Sequence, residues 1–288
     1  MKIDLQVHST YSDGYLTPAQ LAVFLAGRGV KVASLTDYNT LAGQKEFKAA
    51  CAKRHIKAIL GLELYVKVGG RRLNILWYNY QAESVELQKI LLETHLRRHR
   101  NVRVKLEQLQ KLGFHLEVEA ILSKHPNYIP VNKVADELFS VPYNQKKIKR
   151  ELGLKNPREE DLMVEYFFNK QTGKLQDAYI SLERIMKLRK KVGGQIIFCH
   201  PGHYNKMRGK IIPKLKQMGL DGLELLSPHH NHETIMYIQY LAEEFNFITT
   251  GGSDFHKFEL PDKKIKYSWQ WFEINSRYLR KIDKIIGK

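Results

Sequence analysis

Cysteine is nearly absent: Cys51 and Cys199 are the only two in 288 residues, with no CxxC spacing. That count excludes a disulfide framework and a thiolate zinc site, and it fits a reducing compartment. Long apolar runs are also missing. No stretch reaches the roughly eighteen residues that a membrane helix needs, and the opening MKIDLQVHST has no apolar signal core. A soluble, cytoplasmic protein without membrane partners is expected. Acidic residues are scarce, 30 against 47 Lys and Arg, which leaves a net charge of +17. The excess gathers at Arg97, Arg98 and Arg100, at Lys146, Lys147, Lys149 and Arg150, at Lys187 to Lys191, and at Lys263 to Lys266. Such a field steers anionic partners, although a lysine-rich surface alone gives the same number.

The chain is long enough for one large α/β domain, and its hydrophobic fraction of 43% suits a sizeable core. Short apolar runs alternate with helical patterns. Strands are expected at Ile3–Val7, Val32–Thr36, Ile56–Val66 (interrupted at Gly61) and Leu73–Tyr78. Thr17-Pro18 opens a helix with a hydroxyl cap and proline in its first turn, and Asn39 or Thr40 caps the next. From Glu83 to Lys191 the pattern turns helical, with a long helix stopping at Gly113, shorter ones at Lys133–Phe139 and Arg158–Phe168, and no strand. After Gly193-Gly194 the alternation returns, with strands at Ile196–Cys199, Gly222–Leu226 and Phe247–Thr250. This predicts parallel βαβ units over 1–82 and 192–288, and a mostly helical insertion over 83–191.

The polar residues of interest stand where strands end. His8 and Asp13 follow the first strand, Asp37 and Tyr38 the second, Glu63 lies in the third, and His200 follows Ile196–Cys199. Glu224 closes on Asp221-Gly222, and Asp254 and His256 follow the last strand. In parallel α/β folds the carboxyl ends of strands converge on one face, so these side chains can meet. Imidazoles mixed with carboxylates suit Mn, Fe or Zn better than Ca or Mg. Taken singly, His8 or His256 is an ordinary histidine, Asp13 before Gly14 a turn residue, and Asp254 a helix cap. Glu63 among apolar neighbours is harder to set aside, because a buried carboxylate needs a cation or donors. His229, His230 and His232 read as an exposed loop.

The stretches H-S-T-Y-S-D-G (His8–Gly14), L-T-D-Y-N-T (Leu35–Thr40), G-L-E (Gly61–Glu63), C-H-P-G (Cys199–Gly202) and G-S-D-F-H (Gly252–His256) follow one another along the chain. In that order they resemble the PHP (polymerase and histidinol phosphatase) metal-dependent phosphoesterases. The likeness is to the branch with a helical insertion between the G-x-E and H-P motifs, whose members act on nucleoside monophosphates and short RNA ends. The resemblance implies a distorted (β/α)7 barrel with one to three divalent metals. It places metal ligands at His8, Asp13, Glu63, His200, Asp254 and His256, with Asp254, His200 and His256 in catalytic roles.

Three positions depart from the family pattern. The H-x-H pair becomes Gln6-Val7-His8, T-D-H becomes Thr36-Asp37-Tyr38, and an insertion histidine becomes Lys133. The family arrangement groups Gln6, His8, Glu63 and Asp254 around one metal, Glu63, His200 and Lys133 around a second, and Asp13, Tyr38 and His256 around a third. A Gln amide is a weak neutral ligand, a Tyr must lose its proton to bind well, and a protonated Lys repels a cation. The His8, Glu63 and Asp254 position is therefore the most secure. Arg98, Lys133 and His203 are expected to contact substrate phosphate. The function expected is hydrolysis of phosphate esters of nucleotides or nucleic-acid ends; a barrel that binds phosphate without cleaving it is the alternative.

Overall fold

The computed structural model describes residues 1–169, 173–176, 178–203, 211–258 and 272–287. Lys263 to Lys266 lie outside them. The chain forms two compact units, 1–90 with 179–288, and 91–178.

The first unit begins with β1 (Lys2–Val7), α1 (Pro18–Gly27), β2 (Val32–Leu35), α2 (Gln44–Ala52), β3 (Lys57–Val68) and β4 (Arg71–Tyr78). The helical stretch follows as α3 (Val85–Lys111), α4 (Val118–Ser123), α5 (Val131–Ser140), α6 (Pro142–Leu152) and α7 (Glu159–Leu162), the last continued by a π-helical turn over Met163–Phe168. The chain then supplies β5 (Ile180–Ser181), α8 (Leu182–Val192), β6 (Gln195–Phe198), α9 (Ile211–Gln217), β7 (Gly222–Leu226), α10 (His232–Glu244), β8 (Ile248–Gly251) and β9 (Ile274–Asn275). Residues 91–178 pack around a core of their own that includes Leu106, Phe114, Ile129, Val134, Leu138 and Phe167.

Hydrogen bonding orders the sheet β8-β7-β6-β4-β3-β2-β1-β9, with β5 beside β3. Its long strands form a nearly closed α/β barrel. Closure comes from the segment after β8 rather than from β8 itself. Val7 bridges Phe255 in parallel, His8 N donates to Phe255 O at 2.9 Å, and Asp254 N donates to Gln6 O at 2.9 Å. Gly252 is pressed so closely on Gln6 that a Cβ there would collide with the Gln6 backbone and Cβ. Any side chain at that position would push the two ends of the barrel apart.

Several local expectations need correcting. β3 runs unbroken through Gly61, and β4 pairs antiparallel with both β3 and β6, so the sheet is not uniformly parallel. The reason is Gly69-Gly70, at φ 51° and 78°, a two-residue turn between the paired Val68 and Arg71 that returns the chain at once. A strand also exists where none was expected: β5, two residues long, pairs with β3. The cap at Thr17 is present, with the reciprocal Gln20 bond. The cap at Asn39 or Thr40 is not, since α2 begins only after Gly43. Asn39 instead donates N–H to Glu63 O at 2.9 Å and accepts from Tyr65 N, which keeps this segment beside β3.

Asp4 sits at the closure, accepting N–H bonds from Ser253 at 2.9 Å and Gln6 at 3.4 Å. Burial pushes its carboxyl up to about 6 despite those bonds. A raised folded pKa means that the fold prefers the protonated acid; stability falls as pH rises from about 4 to 6 and stays lower above. Asp4→Asn keeps an acceptor without the charge. It should stabilise the protein by up to about 3 kcal/mol at pH 8 and by little at pH 4. Thermal or urea unfolding at both values checks this; a loss of stability at pH 8 would contradict it.

Candidate metal centre

The carboxyl end of β1 delivers Gln6, Val7 and His8, and the alternation of strand side chains turns Gln6 and His8 to the same, inner side. Asp13 comes from the following loop. Asp37 ties that loop down, accepting from Ser9 N at 2.7 Å, Ser9 Oγ at 2.6 Å and Ser12 Oγ at 2.6 Å. Tyr38 follows β2 and bridges Glu63, which stands within β3. Cys199 and His200 extend β6, Glu224 lies in β7, and Asp254 and His256 follow β8.

Glu63 is completely buried and forms the centre of the cluster. Its Oε2 accepts from Gln6 Nε2 at 2.9 Å and lies 3.2 Å from His8 Nε2. Its Oε1 accepts from Asn74 Nδ2 at 2.7 Å and lies 3.6 Å from His200 Nε2. Asp254 Oδ1 accepts a second bond from Gln6 Nε2 at 2.9 Å and also lies 3.2 Å from His8 Nε2. His256 donates Nδ1–H to the Asp254 carbonyl at 2.7 Å, which turns its Nε2 toward Asp13 Oδ1 at 3.2 Å. The His8 ring stacks against both His256 and Tyr38, with centroids 4.2 and 4.5 Å away. His200 and Asp254 occupy left-handed backbone, at φ 25° and 52°. Non-glycine residues held there are uncommon and cluster at functional sites.

The electrostatics show what the cluster is built to hold. Burial opposes ionisation of Glu63, but His200 and His8 bring its carboxyl down to about 2. Burial likewise opposes charge on His200, yet Glu63 and its neighbours raise it to about 9. Asp254, beside His256 and His229, lies well below the usual carboxylate range despite burial, while His8 lies well above the usual imidazole range. Positive charge is thus favoured throughout. Both His8 ring nitrogens are buried without a hydrogen bond of acceptable geometry, although Nε2 points between two carboxylates. An imidazole lone pair so placed fits a divalent cation. The donor atoms of His8, Asp254 and His256 lie within 4.8 Å of one another, as do those of Glu63, Cys199 and His200. Tyr38 suits a cation less, because burial and the Glu63 charge push its phenol well above its ordinary pKa.

All six ligand positions expected from the sequence, together with Gln6 and Tyr38, meet on this face. Lys133 and Arg98 lie in the unit 91–178, where Arg98 gives Nε and Nη2 to the Ile129 carbonyl and covers the Tyr128 ring. His203 ends the turn Pro201–His203, and its side chain lies outside the described residues. The histidine loop is not simply exposed. His229 Nε2 contacts Asp254 Oδ2 at 2.8 Å. His230 is a clamp: its Nδ1–H donates to Leu225 O at 2.8 Å and its Nε2 accepts from Gly202 N at 3.1 Å, with burial pushing its pKa down to about 4. Asn74 and Cys199 were hidden from sequence reasoning by their apolar strands. Glu224 stood out by position only; its Oε2 accepts from His200 N at 2.7 Å.

The family model of the PHP domain matches residues 4–218. The chain is 26% identical to phosphoribosyl 1,2-cyclic phosphate 1,2-diphosphodiesterase of Eggerthella lenta, over 88% of this chain and 93% of that protein. It is 28% identical to a 5'-3' exoribonuclease of Haemophilus influenzae, over 88% and 90%. To 3',5'-nucleoside bisphosphate phosphatase of Chromobacterium violaceum it is 25% identical over 98% and 99%. A solved amidohydrolase from Chromobacterium violaceum, with bound sulfate and no metal, shares the fold with a TM-score of 0.72 at 23% identity, covering 96% of this chain and 92% of that one.

Gln6 gives a direct test of the cation position. Its amide nitrogen donates to Glu63 and Asp254, the two carboxylates that a cation beside His8 would use, so binding must break both bonds. Gln6→His removes these donors and adds an imidazole. The variant should bind Mn or Zn at least about tenfold more tightly by calorimetry, a gain of about 1.4 kcal/mol. Unchanged affinity would mean that the cation lies elsewhere.

Proposed function

The chain belongs to the PHP domain family, and on that premise we propose that it hydrolyses phosphate esters of nucleotides or oligonucleotide ends at this barrel face. One observation carries the reading. Imidazoles and carboxylates from the ends of β1, β6 and β8 meet around Glu63, buried within β3, with the His8 nitrogens aimed at acids and lacking hydrogen bonds. His8, Glu63 and Asp254 would hold the most secure divalent ion, drawn from Mn, Fe or Zn. His200 and Glu63 would serve a second, and Asp13 and His256 a third. Such an ion supplies Lewis acidity, making a water acidic enough to attack near neutral pH and drawing charge from the phosphoryl oxygens.

The chain's own residues then have separate tasks. Gln6 and Asn74 orient the Glu63 carboxylate, and Glu224 fixes the His200 backbone. His229, Asp13 and His256 remain partly exposed, with side-chain exposures of 36%, 20% and 24%, whereas His8 and Glu63 have none. The ester must therefore approach over this rim, where His229 can donate a hydrogen bond to its phosphate. His203, directly after His200-Pro201-Gly202, would add a phosphate contact. Arg98 carries less weight because its guanidinium is engaged with Ile129.

A nucleotide substrate is supported by the three relatives, each named for action on a ribose phosphate, a nucleoside bisphosphate or RNA. The net charge of +17 agrees with an anionic partner. Binding without cleavage is not favoured, since these relatives are hydrolases matched over nearly their whole length.

Phosphate release from a nucleoside 3',5'-bisphosphate and nucleotide release from a short 5'-phosphorylated oligoribonucleotide test the reading in the presence of Mn or Zn. Asp254→Asn and His200→Ala should each lower kcat on the better substrate by about a hundredfold or more. Circular dichroism should show the fold kept. Turnover that survives both substitutions would place the chemistry at another site.

A further inference from the structure

We propose that Cys199 is a thiolate ligand in a buried metal position shared with Glu63 and His200, and that this sulfur inclines the position toward zinc over manganese. The inference rests on the reading that this barrel face binds divalent metal.

The geometry singles out the sulfur. Cys199 Sγ lies 3.6 Å from Glu63 Oε1, and His200 Nε2 lies 3.6 Å from the same oxygen. Sulfur, nitrogen and oxygen donors of the three residues fall within 4.8 Å of one another, and all three residues are buried. A second observation comes from β7. Glu224 is completely buried, and its Oε2 lies 3.8 Å from Cys199 Sγ. Its Oε1 is buried with no hydrogen-bond partner. Two buried carboxylates therefore flank one thiol, which can offer only a single weak S–H donor. Burial pushes the Glu224 carboxyl up to about 8, so the charge of this pair rests on Glu63; a cation there would stand between that carboxylate and the thiolate.

Cys51 shows what a merely structural cysteine looks like in this protein. It packs in the apolar cluster of Leu21, Leu25 and Phe47, and the groups acting on it include no carboxylate. Two cysteines rule out a site made of thiolates alone, but not a site with one thiolate among nitrogen and oxygen donors. Catalytic zinc sites of mixed donors are of this kind. Burial and the Glu63 and Glu224 acids hold the thiol's proton in place until a cation arrives; on binding, the ion displaces that proton to solvent and the sulfur lone pair coordinates the ion. The neighbouring His8, Asp254 and His256 position offers only nitrogen and oxygen, so the two positions differ in softness. Thiolate selects zinc, whereas carboxylate and imidazole accept manganese as well.

Cobalt(II) is a spectroscopic probe for this assignment. Titrating the full-length apoprotein should produce a sulfur-to-cobalt charge-transfer band in the near ultraviolet. Cys51→Ser should keep the band and Cys199→Ser should lose it, while calorimetry shows cobalt still bound through the other donors. The ratio of zinc to manganese affinity should fall by about tenfold or more in Cys199→Ser. Cobalt bound to the wild-type protein without the band, or an unchanged ratio, overturns the thiolate and leaves the metal reading standing. Failure to bind cobalt, zinc or manganese at all overturns both. If Cys199→Ser does not fold, the wild-type and Cys51→Ser spectra still decide, because no third cysteine exists.

Discussion

The Glu63 carboxylate is the constraint on which this barrel depends. It stands in the middle of β3 between Leu62 and Leu64, all three without solvent exposure. An ion taken out of water loses several kcal/mol of hydration unless partners restore it. Those partners come from across the sheet: Gln6 from β1, His8 just beyond it, Asn74 from β4 and His200 beyond β6. One charge in β3 thus couples three other strands, β1, β4 and β6, and truncating a partner costs more than the contact itself because the acid stays buried. A leucine in place of Glu63 would spare the fold this demand. Stability does not explain the acid, and the histidines turned toward it give it a use.

The same region breaks local rules elsewhere. Asn39, His200 and Asp254 have positive φ without being glycine, and each flanks a residue or bond of the cluster. Asn39 bonds the Glu63 carbonyl, while the backbone bonds of His200 and Asp254 go to Glu224 and to the Gln6 carbonyl. Each strained residue therefore has a partner that fixes it. Strain held in this way sets side-chain directions that an ordinary strand end would leave to vary.

Much of this was legible in the sequence, for identifiable reasons. A carboxylate among apolar residues and acids or imidazoles after strand runs are conspicuous, so His8, Asp13, Glu63, His200, Asp254 and His256 could be picked out before any fold was known. The direction of β4 could not be read from its own residues, because a continuous apolar run looks alike in parallel and antiparallel sheets. Gly69-Gly70 carries that information, because a two-glycine turn returns the chain antiparallel. β5, at two residues, is too short for any periodicity. Cys199 and Asn74 resemble strand filling until their neighbours across the sheet are known. His229 sits in a polar loop, and its partner Asp254 belongs to the next strand end, which no local pattern reveals.

The surface charge and the cluster do different jobs, and magnitudes separate them. Near a protein surface, two unit charges 4 Å apart interact by about 4 kcal/mol, while beyond about 8–10 Å salt largely screens them. The lysines and arginines behind the net +17 can therefore hasten the arrival of an anionic ester without holding it in place. At the face itself an arriving phosphate meets Asp13, Glu63 and Asp254, whose surroundings keep all three ionised. Repulsion at that range outweighs a screened attraction from farther away. Imidazolium charge on His8 and His200 offsets part of it, but a proton fixed on a ring nitrogen also removes the lone pair that a metal would use. Cations and protons compete for the same atoms, so occupancy by a metal decides at once whether the face can tolerate the phosphate and whether it can act on it.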